Sequence, residues 1–164
     1  MKKVEKIQVD NKGIKYLNYA KWLCMIMVIM FMVLIFYFMV TQHLSYTALI
    51  QENPILLAGF IDCLGNIIVY LLIKKDVERL ENNDDVLYIQ AKSILYVTVE
   101  ACLLNMPSMI MLIISSMKCF VWDKKTTLKM WNEIKNKSYN YFGVLIFFFA
   151  IVISFYWILT SFSK

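Results

Sequence analysis

The sequence predicts an all-α integral membrane protein: four transmembrane helices and a basic amphipathic helix at the membrane surface. Three observations carry this expectation. The 164 residues are 60% hydrophobic, against about 45–50% for a soluble domain, and the mean hydropathy is +0.61. The apolar residues fall into four blocks, 22–40, 55–73, 94–117 and 141–160, in which Asp62 and Glu100 are the charged residues. The basic residues lie between the blocks and give a formal net charge of +5.

A helix of roughly 20 residues rises 1.5 Å per residue and crosses the ~30 Å hydrocarbon core. Residues 1–21 form a basic segment with Lys2, Lys3, Lys6, Lys12, Lys15 and Lys21, expected on the cytoplasmic side. The first span, 22–40, is longer than the roughly 7–15-residue apolar core of a signal peptide, and "VTQHLSYTALI" after it offers no small-residue cleavage site, so a retained anchor is expected. The 41–54 loop has no Lys or Arg and is expected outside. Pro54 then opens the second span, 55–73, with Asn53 before it as a cap.

Lys74, Lys75, Arg79 and Lys92 bring the next loop back inside. The third span, 94–117, is where the charge count turns inconsistent. A single crossing puts 118–140 outside, yet that segment holds Lys118, Lys124, Lys125, Lys129, Lys135 and Lys137. Ordinary crossing is the adopted reading; a span kinked or re-entrant at Pro107, in "LNMPSM", is the alternative.

Residues 118–140 repeat Val121, Leu128, Trp131 and Ile134 at helical intervals. That pattern predicts an interfacial helix on which Lys124, Lys125, Lys129, Trp122 and Trp131 meet anionic lipid or a partner. The fourth span is 141–160. The pieces outside the membrane are too short to hold a catalytic domain, so the whole chain reads as one polytopic membrane domain.

Chemistry is therefore sought inside the spans. Ala58, Asp62, Asn66, Tyr70 and Lys74 recur every four residues along one face of the second span; Lys92, Tyr96 and Glu100 do the same in the third. Counted from the flanking lysines, Tyr70 and Tyr96 fall about 6 Å deep, Asn66 and Glu100 about 12 Å, and Asp62 about 18 Å. The two stripes are expected to face each other, with Lys74 and Lys92 reaching for headgroups and the tyrosines at the interface. Asp62, Asn66 and Glu100 then form an intramembrane polar site. It serves either as interhelical glue, beside the small residues Ala58, Gly59, Cys63 and Gly65, or as a proton or cation site.

Other signals point away from enzymatic or cofactor chemistry. Cys24, Cys63, Cys102 and Cys119 contain no CxxC pair and are expected as free, apolar-buried thiols. His43 has no triad partner in sequence, and there is no phosphate-binding loop, zinc-type spacing or nucleic-acid module. No catalytic residue, metal or cofactor is expected. Lysine outnumbers arginine heavily, Arg79 being the one arginine, a bias expected of an AT-rich bacterial genome.

Two functions follow as expectations. The first is a non-enzymatic protein of the plasma or inner membrane, amino terminus cytoplasmic, that binds another membrane protein or itself: a bacteriocin or toxin immunity protein, or an accessory subunit of a transport or secretion complex. The second is a small oligomeric carrier or channel for protons or cations that uses Asp62 and Glu100.

Overall fold

The computed structural model describes residues 10–43, 45–47, 49, 53–103 and 105–137, with the side chains of 54, 55, 58 and 133–137 excepted. The expected span 141–160 and the lysines at 2, 3 and 6 lie outside the described residues. Regular structure among the described residues is helical throughout: α1 Asn11–Gln42, α2 Pro54–Glu81, α3 Val86–Cys102, α4 Met106–Cys119 and α5 Lys124–Lys137. Of these, α1 is long and apolar enough to cross a membrane. A second crossing is obtained when α4 and the start of α5, bent by 109°, are counted as one broken span.

Helix α1 starts well before the expected boundary at residue 22. Asp10 caps it by accepting the Lys12 N–H at 2.9 Å. Gly13, Leu17, Ala20 and Cys24, three or four residues apart, are buried together with Ile14. Part of the presumed basic tail is thus a helix with an apolar face. At its far end α1 stops where His43 turns left-handed, φ 53°.

Helix α2 runs back along α1. Trp22 stacks edge-on against Tyr70 with ring centroids 6.1 Å apart, and further along Phe31 lies against Gly59, where any Cβ would strike its ring. The small residue expected to allow close approach does so here. Beyond it, Ile35 packs with Leu49 and Leu56 in a separate apolar cluster.

The 94–117 stretch is not one helix, which corrects the expected third span. Asn105 caps α4 by accepting the Ser108 N–H at 3.4 Å, and Pro107 occupies the first turn, where a missing N–H costs nothing. The chain reverses at Leu103–Asn105, two residues before the proline. Helices α3 and α4 then run antiparallel, because Ser93 meets Ser116 at 3.0 Å and Gln90 donates to the Val121 carbonyl at 2.9 Å. The two helices form an antiparallel hairpin whose break precedes Pro107.

The hairpin packs against the first half of α1. Ser115 donates to the Gly13 carbonyl at 2.9 Å, and Ser108, near the tip, donates to the Ala20 carbonyl at 3.4 Å. One core holds Leu17, Ala20, Ile73, Leu80, Ile89 and Leu112 together. Helix α1 continues 18 residues past Cys24 (42 − 24), about 27 Å, with α2 as its described neighbour.

Helix α5 rests on α3 through Met130, 4% exposed. Leu128 and Trp131, from the apolar repeat of the expected interfacial helix, are 70% and 67% exposed. They do not pack on the described bundle.

Candidate functional site

Where the hairpin tip reaches α1 and α2, five side chains with polar atoms are buried together. Cys24 comes from α1, Asn66 from α2, Glu100 from α3, Asn105 from the tip and Ser108 from α4. Each is placed by helical periodicity: Glu100 follows Ser93 and Tyr96 on the buried face of α3, and Ser108 leads Leu112, Ser115 and Cys119 on that of α4. Asn66 donates to the Asp62 carbonyl at 2.9 Å, and its own side-chain oxygen accepts from Asn105 at 2.7 Å. Asn105 thereby caps α4 with one end of its amide and ties the tip to α2 with the other.

Glu100 is the centre of this cluster and the least satisfied member. Its Oε1 accepts from the Cys24 thiol at 3.6 Å, and that sulfur is also 3.3 Å from Ser108 Oγ. Its Oε2 has no hydrogen-bond partner among the described residues. The Ser108 and Asn105 side chains also bear on this carboxyl, so the groups around it are a weak thiol donor, a hydroxyl and an amide, none of them charged.

A second buried polar group lies nearer the basic end. Asp76 Oδ2 accepts from Lys92 Nζ and from the Tyr96 hydroxyl, both at 2.5 Å. The Lys92 ammonium also lies 5.4 Å from the Tyr96 ring centroid and 5.8 Å from that of Tyr88.

Several expected positions change accordingly. Lys92 does not reach for headgroups: it is 5% exposed and paired with Asp76. Tyr96 is buried in that pair, and Tyr70 is half-buried against Trp22. Lys74 is exposed, as expected. Of the three residues expected to form one site, Asn66 and Glu100 come to the same level through Asn105. Asp62 lies one turn further along α2, half-buried, and no hydrogen bond joins it to Glu100 among the described residues.

Lys124, Lys125, Lys129, Trp122 and Trp131 are all exposed on or beside α5. Trp122 is anchored by its Nε1, which donates to the Ser116 carbonyl at 3.0 Å. Cys24, Cys63 and Cys119 are free and buried, but Cys102 is free and exposed, and Cys24 has polar neighbours as well as its place in the apolar core.

The residues missed in the sequence are Cys24, Asn105, Ser108 and Asp76. Asp76 falls outside the 55–73 block, yet it lies at the same helical spacing as Ile73, Val77 and Leu80, which was the available signal. Asn105, Pro107 and Ser108 together carry a helix-start signature that can be recognised in the sequence alone. Among the described residues no group of three or more His, Cys, Asp or Glu side chains is arranged to hold a metal. The cluster offers one carboxyl, one thiol, one hydroxyl and two amides, a set able to bind a proton or to join helices. No family model, curated protein or solved structure matches this chain.

Proposed function

We propose that this chain is a small multi-pass protein of the plasma or inner membrane that acts by docking its helices against another membrane protein, as a toxin immunity protein or as an accessory subunit of a transport or secretion complex. One observation carries the reading. Past the hairpin tip, Ile26, Ile29, Val33, Phe36 and Val40 follow each other at three- and four-residue steps along α1 and are all exposed. A stripe of that width in a membrane suits the side of a neighbouring helix.

The charge distribution supports an inside amino terminus. Lys12, Lys15 and Lys21 on α1, Lys74, Lys75 and Arg79 near the end of α2, and Lys118, Lys124, Lys125 and Lys129 belong to segments that meet at one end of the bundle. With the α3–α4 hairpin returning to that end, the lysines of 118–129 join the other basic segments on the cytoplasmic side. Anionic headgroups attract such a surface by about 1 kcal/mol per Lys or Arg near it.

The test is isolation of the tagged protein from its native membranes in mild detergent, alongside a variant with Ile29, Val33 and Phe36 replaced by alanine. A stoichiometric membrane partner, lost from the variant while α1 remains helical, is the expected result. Recovery of this chain alone would remove the reading. The second function, an oligomeric proton or cation carrier, draws support from the unpartnered Glu100 Oε2; Asp62, a turn away, adds nothing to it. Flux in proteoliposomes that Glu100→Gln leaves unchanged would eliminate that function.

A further inference from the structure

Among the described residues two acids are completely buried, and their surroundings differ. Asp76 and Glu100 are each 0% exposed. Asp76 faces the Lys92 ammonium and the Tyr96 hydroxyl, as a carboxylate requires. Glu100 faces only neutral groups among the described residues, the Cys24 thiol and the Ser108 and Asn105 side chains, and its Oε2 makes no well-formed hydrogen bond to any of them. The ion pairs among the described residues, Arg79–Asp85 and Lys92–Asp76, are both remote from the tip.

A carboxylate in that position loses its hydration and gains no counter-charge, a penalty of several kcal/mol that proteins avoid by keeping the group neutral. The groups that face Glu100 agree with a neutral acid. From α1 comes Cys24, from the tip and α4 come Asn105 and Ser108, and α2 contributes Asn66 through Asn105. Cys24 is the one titratable group among them, and none is cationic. The nearest acid on α2, Asp62, is one turn beyond Asn66.

The side chains around Glu100 are also the ones that join the tip to its neighbours. Asn105 donates to Asn66 on α2 at 2.7 Å, and Ser108 donates to the Ala20 carbonyl of α1 at 3.4 Å and lies 3.3 Å from the Cys24 sulfur. Charge placed on Glu100 draws water into this join. We propose that Glu100 is a proton-binding site built into the hairpin tip, and that loss of its proton releases the tip from α1 and α2. The inference goes beyond the docking function and is independent of any partner.

The experiment uses the full chain in detergent and two probes. Dicyclohexylcarbodiimide, an apolar reagent, converts protonated carboxyls in apolar surroundings to stable N-acylureas that peptide mass spectrometry locates. Glu100 is expected to be labelled near neutral pH, with the yield falling about tenfold per pH unit once the site titrates, while Asp76 stays unlabelled. The second probe is N-ethylmaleimide on a chain that keeps Cys24 and has Cys63, Cys102 and Cys119 replaced by alanine. Its alkylation is expected to rise more steeply with pH when Glu100 is present than in Glu100→Gln, which has the same thiol and cannot acquire the charge. Failure of the carbodiimide to mark Glu100 at any pH overturns the proton site, and that arm needs no variant to fold. Marking of Glu100 together with coincident Cys24 profiles overturns the release of the tip.

Discussion

Single side chains decide how the helices of this bundle may approach. At Gly13 an added Cβ would lie 2.5 Å from the backbone nitrogen of Cys119 and 2.8 Å from its Cα. Backbone cannot move aside as a flexible side chain does, so Gly13→Ala is expected to destabilise the protein by about 1–3 kcal/mol. At Gly59 the obstruction is the Phe31 ring, which can rotate; Gly59→Ala should cost less, and thermal midpoints in detergent compare the two. The Asp76–Lys92 pair sets a larger scale. Lys92→Met leaves a buried acid without its cation and is expected to cost about 3–5 kcal/mol, and adding Asp76→Asn should recover part of it. Additive losses in that double-mutant cycle would mean the two side chains are not coupled.

Among the elements, α4 and α5 start on polar caps, and each cap yields a prediction. Asn105 both caps α4 and holds Asn66, so Asn105→Ala should destabilise by about 1–2 kcal/mol. Pro107→Ala should change little, because the proline stands in a first turn and kinks nothing; a large change would restore a continuous, proline-kinked span. At α5, Asp123 accepts the Thr126 N–H at 2.8 Å, and hydrogen bonds from the Thr126 side chain and N–H hold its carboxyl below the usual carboxylate range. With the folded value depressed, the cap contributes fully above the ordinary value of 3.8 and is lost as pH falls through the lower, folded one. The Thr126 amide resonance should therefore titrate with a midpoint below 3.8, and Asp123→Asn should abolish that titration.

At the scale of the whole molecule, the hairpin predicts which surfaces share a side of the membrane. Single cysteines introduced at Asn83, between α2 and α3, and at Lys125, on α5, should react with an impermeant reagent from the same side of sealed vesicles, and one at His43 from the other. Opposite reactivity at positions 83 and 125 would mean that 94–117 crosses once. Much of this architecture was legible in the sequence. The apolar blocks and the Asn53–Pro54 start announce helices, because burial and backbone hydrogen bonding act over one or two turns; the start at Asn105 carried the same kind of local signal and was missed. The excess of lysine in 118–140 already conflicted with a single crossing. What periodicity cannot supply is the partner of a buried group. Asp76 and Lys92 lie 16 residues apart, and Cys24 and Glu100 lie 76 apart; no local rule joins them. The sequence by itself determined that the chain is helical and apolar and that Asn66 and Glu100 lie at one depth. Tertiary structure alone decided that Lys92 turns inward to Asp76, that the chain reverses at Leu103–Asn105, and that Glu100 is buried without a counter-ion. Those outcomes depend on which helix packs against which face, and packing is settled by contacts between residues far apart in the chain.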